Sequence, residues 1–317
     1  MSVPAIILTY LAAAAGTLLL GLAAKWFDRK VTARVQYRKG PPWYQPVADV
    51  LKLLHKETLV PSTGRGAGFL IAPAIALGAT ALAAAMLWAP LFAHEGSFLG
   101  DLIVVIYLLV IPPLATILGA SASGSPHAAV GASREMKLIL AYELPFVLAL
   151  LVGVIHSGWT LQLGKMAADQ QGQAGATLYS ISGVLAMIVA ILAVQAKLGQ
   201  VPFDLAEAEC EIMSGVFVEY SGPPLALIYI SRAMLLATLP LLLILVFWGG
   251  LKLTLTGVPA FLGKYLLLLT LVTLIRNTNP RLRIDQAVRF FWLGLTPLAV
   301  LAAVLALVGR YKGLSWL

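Results

Sequence analysis

The stretch PLALIYISRAMLLATLPLLLILVFWGG, residues 224–250, decides the fold, because Arg232 is the only charged side chain within it. A helix that crosses the hydrocarbon core of a bilayer needs about 20 consecutive apolar residues. A stretch of this length and composition is therefore predicted to be a membrane-spanning helix.

Composition extends this interpretation to the whole chain. Of its 317 residues, 60% are hydrophobic and 11% are charged, whereas soluble domains carry about 25% charged residues. Too few polar side chains are available to cover a water-soluble fold, which excludes soluble enzymes and secreted disulfide scaffolds. We expect an all-α integral membrane protein in one domain, residues 1–317, with eight spans at about 3–24, 68–93, 102–121, 137–158, 180–197, 224–250, 260–275 and 290–309.

Lysine and arginine are divided unevenly between the two sides of this bundle. The loops after the first, third, fifth and seventh predicted spans hold sixteen of them, and the opposite side, with both termini, holds five. Cytoplasmic loops carry such an excess, so we expect a multi-pass protein of the cytoplasmic (inner) cell membrane with both termini outside. The net charge of +8 is then a topology signal, and the expected partner is the lipid bilayer, with no nucleic acid.

Metal-binding residues are sparse. The chain has one cysteine, Cys210, and four scattered histidines, whereas an iron–sulfur cluster typically needs four thiolates. We therefore expect no metal, no cofactor and no catalytic centre in this chain, and any redox centre that it serves lies in another chain.

The acidic residues are concentrated in the third predicted cytoplasmic loop, QVPFDLAEAECEIMSGVFVEYSGPP. On a helix, like charges three or four residues apart repel, and clustered carboxyls raise each other's pKa. One interpretation is a proton-handling loop, and the other is a solvated loop that pairs with arginines of the first and fourth cytoplasmic loops or with a partner. The five acids are Asp204, Glu207, Glu209, Glu211 and Glu219.

Two charged residues fall within predicted spans. Glu143 lies in LILAYELPFVLALL beside Pro145, which cannot donate a hydrogen bond to the carbonyl of Ala141. Ionisable residues at such depth face a cavity, find a partner or stay neutral, so Glu143 is either a proton or cation site or a neutral link between spans. Arg232 either extends to the cytoplasmic surface or points inward, as the counter-ion of Glu143 or of the loop acids.

The first cytoplasmic loop contains a helical pattern. Val47, Val50, Leu51 and Leu54 recur at helical spacing, so residues 46–57 are predicted to form an amphipathic surface helix. Periodicity alone leaves open whether this helix lies among the lipid headgroups or docks a partner.

Three motifs carry a family resemblance. RKGPPWYQPVADVLKLLHKE (38–57), VPFDLAEAECEIMSGVFVEYSG (201–222) and RLRIDQAV (281–288) resemble the NuoH-type membrane subunit of respiratory complex I. They are more similar still to its counterpart in energy-converting membrane-bound [NiFe] hydrogenases and formate hydrogenlyase-type complexes. The resemblance covers most of the chain, and AYEL around Glu143 is similar to the glutamate-bearing helix of that family.

The resemblance implies a heel subunit that fastens a peripheral redox arm to antiporter-like membrane subunits. The arm carries iron–sulfur clusters, with or without a NiFe centre. The resemblance also implies that carboxylates line a path from the redox site into the membrane, and the charge pattern of the third loop and the sixth span adds Asp204 and the counter-ion Arg232. In this chain the path comprises Asp49, Glu143, Asp204, Glu207, Glu209, Glu211, Glu219 and Arg232. The arm interface comprises Arg34, Arg38, Lys39, Trp43, Tyr44, Gln45, Arg281 and Arg283.

Two departures from complex I members matter. The segment GPPWYQP is shorter than its usual counterpart, which weakens the case for a quinone pocket and favours the hydrogenase side. No arginine stands near Gln200, where complex I members commonly have one. The alternatives are the quinone-site subunit of an NADH:quinone oxidoreductase, a stand-alone secondary transporter and a passive membrane anchor. The coupling ion, H⁺ or Na⁺, stays open because carboxylates serve both.

Overall fold

The computed structural model describes residues 3–62, 64–92, 97–172, 175–252, 254–314 and 316. Within these residues the chain is all-α and contains no strand. The helices are α1 (Val3–Val35), α2 (Gln45–Leu54), α3 (Gly66–Phe92), α4 (Asp101–Ala122), α5 (Pro126–His156), α6 (Leu163–Gln171), α7 (Ile181–Lys197), α8 (Glu209–Ile212), α9 (Pro223–Phe247), α10 (Gly257–Thr278), α11 (Ile284–Arg289) and α12 (Thr296–Lys312).

Seven helical stretches among the described residues are long and apolar enough to cross a membrane. They are α1, α3, α4, α5, α9, α10 and the continuous stretch Ile284–Lys312, in which a π-helical segment, Phe290–Leu295, joins α11 to α12. The remaining predicted span, 180–197, is α7, which is apolar but has only 17 residues.

The quoted stretch of the sequence forms the centre of the bundle. In α9, 89% of the most apolar window is buried, against 17% in α1 at the periphery. Gly21 of α1 lies directly against the backbone of Ala233, where a side-chain carbon on the glycine would overlap the Ala233 carbonyl. This close approach packs α1 directly against α9.

Two helices extend beyond the predicted spans. Helix α1 continues to Val35, so the charged residues from Lys25 to Arg34 are helical. Helix α5 begins at Pro126, well before residue 137, and therefore includes Arg134 and Glu135. The predicted spans end at charged residues because such residues mark the membrane surface. A helix can continue beyond that surface as long as its backbone hydrogen bonds are satisfied.

Residues 198–222, named here the acidic loop, do not form one continuous helix, so Asp204, Glu207 and Glu211 do not share a helical face. Only the four residues of α8 are α-helical, and a 3₁₀ turn follows at Gly215–Phe217. Met213, Ser214 and Gly215 take positive φ angles of 51°, 73° and 47°. Three successive left-handed residues cannot continue a right-handed helix, so the loop folds back on itself.

Candidate functional site

Glu143 is paired deep in the bundle with a cation that its sequence neighbourhood does not indicate. Lys197, the last residue of α7, places its Nζ atom 2.7 Å from Oε2 of Glu143. The side chains of Lys197 and Glu143 are 2% and 22% exposed, respectively. The Nζ atom also lies 4.8 Å from the centre of the Phe146 ring. Taking two charges out of water is costly unless they are paired, and this pairing offsets that cost.

The two oxygens of the Glu143 carboxyl have different surroundings. Oε2 accepts the hydrogen bond from Lys197, whereas Oε1 is buried and has no hydrogen-bond partner among the described residues. A buried carboxyl oxygen without a donor is a position that a proton can occupy. The hydrogen bond from Lys197 thus fixes Oε2, whereas Oε1 can accept a proton.

Arg232 points toward the acidic loop. Its guanidinium forms an ion pair with Glu207 and lies 4.4 Å from the centre of the Phe217 ring. Of the two inward interpretations of Arg232, the structure therefore favours a loop acid as the counter-ion, while Glu143 pairs with Lys197.

The other described acids of the loop that form ion pairs use separate cations. Oδ2 of Asp204 lies 2.9 Å from Arg281, and Oε2 of Glu211 lies 2.6 Å from Arg134 of α5. The Asp204 pair matches the expectation that loop acids pair with arginines of the fourth cytoplasmic loop. Each cation comes from a different part of the chain, which separates the acids and reduces their mutual repulsion.

Two acids of the loop remain outside this arrangement. The side chain of Glu209 lies outside the described residues. Glu219 is half-buried and belongs to none of the six ion pairs among the described residues.

A cavity of about 40 Å³ lies between the Glu143–Lys197 pair and the Glu207–Arg232 pair. Lys197 and Arg232 both line it, together with Pro112, Ser231 and Glu135 of α5. Glu135 was not among the residues predicted from the sequence, because residues before 137 were assigned to a loop. Glu135 could have been found from its spacing, because it lies three residues after the buried Ala132 and so on a similar face of the longer helix α5.

Close backbone contacts hold the acidic loop on the helices. A side-chain carbon on Gly131 of α5 would lie 2.8 Å from the Val216 nitrogen and 2.9 Å from the Ala206 oxygen. At the end of the loop, the Tyr220 ring stacks on Phe69 with ring centres 4.1 Å apart. The Tyr220 hydroxyl donates to the Phe69 carbonyl, and burial raises the pKa of that hydroxyl. The loop is therefore seated against α3 and α5.

A second charged cluster lies where α1 meets α10. Asp28 is 1% exposed, and its Oδ2 lies 2.5 Å from Nη1 of Arg276. Thr273 donates a hydrogen bond to the other oxygen. Asp28 and Arg276 were missed as site residues because α1 was predicted to end before residue 25.

Asp49 of α2 is tied to the same region of α1. Its Oδ2 lies 2.7 Å from Nη1 of Arg29, and Gln45 donates to its Oδ1 at 2.8 Å. Partial burial acts to raise the pKa of Asp49, but the hydrogen bonds and the charge of Arg29 outweigh it and lower that pKa. Asp49 thus fastens α2 to α1 and lies apart from the cavity.

The residues predicted for the arm interface are mostly at the surface. Trp43 is 74% exposed and Tyr44 is 53% exposed, while Gln45 is half-buried against Asp49. Arg281 is exposed and engaged with Asp204. The other four are exposed: Arg34, Arg38, Lys39 and Arg283.

Among the described residues, no group of three or more histidine, cysteine, aspartate or glutamate side chains is placed to hold a metal ion. The site in this part of the chain is therefore built from ion pairs, carboxyls and a small polar cavity.

The chain resembles known proteins over nearly its whole length. The family model described as NADH dehydrogenase matches residues 8–307. The H subunit of the NADH-quinone oxidoreductase from Thermomicrobium roseum is 35% identical, over 94% of each chain. The corresponding protein from Syntrophotalea carbinolica is 34% identical, over 86% of each chain.

A solved structure agrees with these matches. A chain of the membrane-bound sulfane sulfur reductase, an archaeal respiratory membrane complex, superposes with a TM-score of 0.85 at 32% identity, covering 95% of this chain and 99% of that chain. The chain is thus an integral membrane subunit of a complex I-like respiratory membrane complex, and it belongs to the NADH dehydrogenase family that includes the H subunits of NADH-quinone oxidoreductases.

Proposed function

We propose that this chain is the heel subunit of a redox-driven ion pump. It anchors a peripheral, hydrogenase-like redox arm and couples electron transfer there to translocation of H⁺ or Na⁺. The chain itself holds no redox centre, and its contribution is a path of carboxyls and counter-ions. The observation that carries this proposal is the buried Glu143–Lys197 pair, whose second carboxyl oxygen has no partner among the described residues.

The path is proposed to run from the acidic loop into the bundle. Glu211 and Glu219 form its outer end, Asp204 and Glu207 pair with Arg281 and Arg232 farther in, and Glu143 lies within the membrane-spanning helix α5. Glu209 is proposed to belong to the outer end on the basis of the family resemblance. Asp49 acts indirectly, because it ties α2 to α1 rather than lining the cavity.

Coupling follows from electrostatics. Electron transfer in the arm changes the charge or shape at the acidic loop and the α1–α2 segment, and the loop acids then change protonation. A change of charge has a large effect where the dielectric constant is low. The strength of the Glu143–Lys197 pair thus changes with the charge on its neighbours, and Glu143 passes a proton, or responds to a cation, toward adjoining membrane subunits.

The placement in the membrane is part of the same proposal. The short apolar helix α7 serves as the eighth span, and both termini lie outside the cytoplasmic membrane. The sixteen-to-five distribution of lysine and arginine supports this orientation. The α2 helix is amphipathic and lies at the cytoplasmic surface, where Val47, Leu51 and Leu54 are exposed.

The partners are proposed from the family and from the surface. The peripheral arm carries iron–sulfur clusters, with or without a NiFe centre. It docks on α2 and on Arg34, Arg38, Lys39, Trp43, Tyr44, Arg281 and Arg283. Antiporter-like subunits adjoin the bundle. The similarity to a chain of the membrane-bound sulfane sulfur reductase, a respiratory membrane complex, supports a multisubunit assembly of this type.

Replacing Glu143 with glutamine tests the proposal. The complex is purified with its partner subunits, reconstituted in liposomes and supplied with its electron donor and acceptor. Ion translocation is expected to be abolished while the subunits still assemble, because glutamine keeps the shape but cannot release a proton or carry the charge. Unaffected translocation removes Glu143 from the mechanism.

The second candidate is the quinone-site subunit of an NADH:quinone oxidoreductase, which the names of the sequence relatives favour. Assays of the purified complex with quinone and with other electron acceptors separate the two candidates. Identification of the co-purifying subunits, and of any paired CxxC motifs among them, provides an independent decision.

A further inference from the structure

Glu135 is a second carboxyl on α5, the helix that carries Glu143. The two lie eight residues apart on α5, which corresponds to about 12 Å along the axis and to similar faces of the helix. Glu135 lines the cavity between the two interior ion pairs. It therefore lies between the acidic loop and Glu143.

Glu135 differs from the acids around it because it has no counter-ion of its own. It takes part in none of the six ion pairs among the described residues. Arg232, Glu207 and Asp204 are close enough to interact with its charge, yet Arg232 is paired with Glu207, and Asp204 with Arg281. Glu135 is thus the surplus acid in a group in which the cations are already engaged.

The cavity in front of Glu135 has room for water. A cavity needs roughly 10–15 Å³ to hold one water molecule, and about 40 Å³ exceeds that requirement. Its wall offers polar partners, including the hydroxyl of Ser231. Waters in this space can therefore be hydrogen-bonded.

The charges of the wall favour a proton over a metal cation. Lys197 and Arg232 both line the cavity, and their positive charges oppose the binding of Na⁺ beside them. Protonation of Glu135 removes a negative charge without placing a new ion next to these cations. The chemistry of the cavity is therefore that of a water-linked carboxyl.

We propose that Glu135 is the proton-carrying group that joins the acidic loop to Glu143 through water in this cavity. This inference rests on the proposed function and assigns H⁺ as the ion at this step. The carboxylate of Glu135 accepts a proton from water on the Glu207 side as that water takes a proton from a protonated acid of the acidic loop. It then releases this proton to water on the Glu143 side as that water gives a proton to the Glu143 carboxylate, so that one O–H bond forms and one breaks at each transfer.

The test compares Glu135→Gln with the wild type in the purified complex reconstituted in liposomes. A positioned side chain accelerates proton transfer by about 10²–10⁴-fold, so Glu135→Gln is expected to slow proton translocation by about 100-fold. Glu135→Asp is expected to restore most of the rate because it retains a carboxyl. The matched control is Asp169→Asn, an exposed carboxyl of α6 away from the cavity, which should leave translocation unchanged.

Infrared difference spectroscopy supplies a readout that a structural role would not change. Turnover of the wild-type complex should alter a protonated-carboxyl band that shifts in deuterated water, and Glu135→Gln should lack that band. If Glu135→Gln does not assemble, the band in Glu135→Asp decides, since aspartate must retain it at a shifted position. If neither the wild-type complex nor Glu135→Asp shows such a band, the inference is overturned.

The outcomes for Glu135 and Glu143 are separable. Wild-type translocation in Glu135→Gln, together with its loss in Glu143→Gln, rejects Glu135 and leaves the proposed function standing. Wild-type translocation in both variants rejects the proposed function itself. A response of the Glu135 band to Na⁺ rather than to pH contradicts the assignment of a proton.

Discussion

Two ion pairs on α5 have almost the same geometry in different surroundings. Glu143 lies 2.7 Å from Lys197, and Arg134 lies 2.6 Å from Glu211. The side chains of the first pair are 22% and 2% exposed, and those of the second are 25% and 61% exposed. Exposed pairs contribute about 0–1 kcal/mol, whereas breaking a buried pair costs about 3–5 kcal/mol. Burial, rather than distance, therefore decides which pair can respond strongly to a nearby charge.

The largest effect is expected from breaking the interior pair. Lys197→Met leaves the Glu143 carboxylate buried without its cation, and we expect the free energy of unfolding to fall by about 3–5 kcal/mol. Titration of the purified protein from mild detergent into sodium dodecyl sulfate, followed by circular dichroism, measures this loss.

The control for that prediction removes both charges. Lys197→Met combined with Glu143→Gln leaves no charge in the pair, so most of the lost stability should return. A double variant as unstable as Lys197→Met alone contradicts the view that an uncompensated charge is responsible.

The next effect concerns the packing of the acidic loop against α5, which determines whether the loop acids reach the interior. Gly131→Ala places a methyl group against the backbone of Val216 and Ala206, and overpacking of this kind costs about 1–3 kcal/mol. Loop displacement should also expose peptide bonds near Ala206 to protease. Gly263→Ala in α10, where a side-chain carbon has no neighbour within 4 Å, is the matched control. Equal behaviour of the two variants argues against a tightly seated loop.

A smaller effect is expected at the surface pair. Arg134→Ala removes the cation from the exposed Glu211, which remains solvated, so the loss of stability should not exceed about 1 kcal/mol. The same detergent titration measures it. A loss as large as that of Lys197→Met would place both pairs in equivalent surroundings and remove the contrast between them.

The smallest effect concerns pH and the α2 contact. The pKa of Asp49 is lower in the folded protein than in the unfolded chain. Its stabilising contribution is therefore complete above the ordinary aspartate pKa of about 3.9 and is lost as pH falls through the lowered value. Because the side chain is one-third exposed, we expect no more than about 1 kcal/mol. Asp49→Asn should reduce this acid-side loss, measured as unfolding free energy against pH; an unchanged profile would exclude Asp49 as its source.

The helical character of the chain was predictable because membrane spans are long and apolar. Seven of the predicted spans correspond to helices long enough to cross, and the eighth corresponds to the short helix α7. Helix ends were harder to predict, since α1 and α5 continue through charged segments whose sequences resemble loops. A helical backbone satisfies its own hydrogen bonds, so a change from apolar to charged side chains ends the span without ending the helix.

The candidate site was predictable in its residue types but not in its pairings. Glu143 and the loop acids stood out because acids are rare in this chain. Their partners were hidden, because Lys197 is 54 positions from Glu143 and Arg276 is 248 positions from Asp28. Such pairs arise from helix packing, which local periodicity does not encode. Glu135 was missed for a related reason, since its position depends on the extended start of α5.

The central claim is that interior acids contribute more than surface acids to coupling electron transfer to ion movement. The most direct test is the number of ions translocated per electron in the reconstituted complex, compared between Glu143→Gln and Glu211→Gln. We predict a ratio near zero for Glu143→Gln and at least half of the wild-type ratio for Glu211→Gln. A wild-type ratio in Glu143→Gln, or an equal loss in both variants, would contradict this claim.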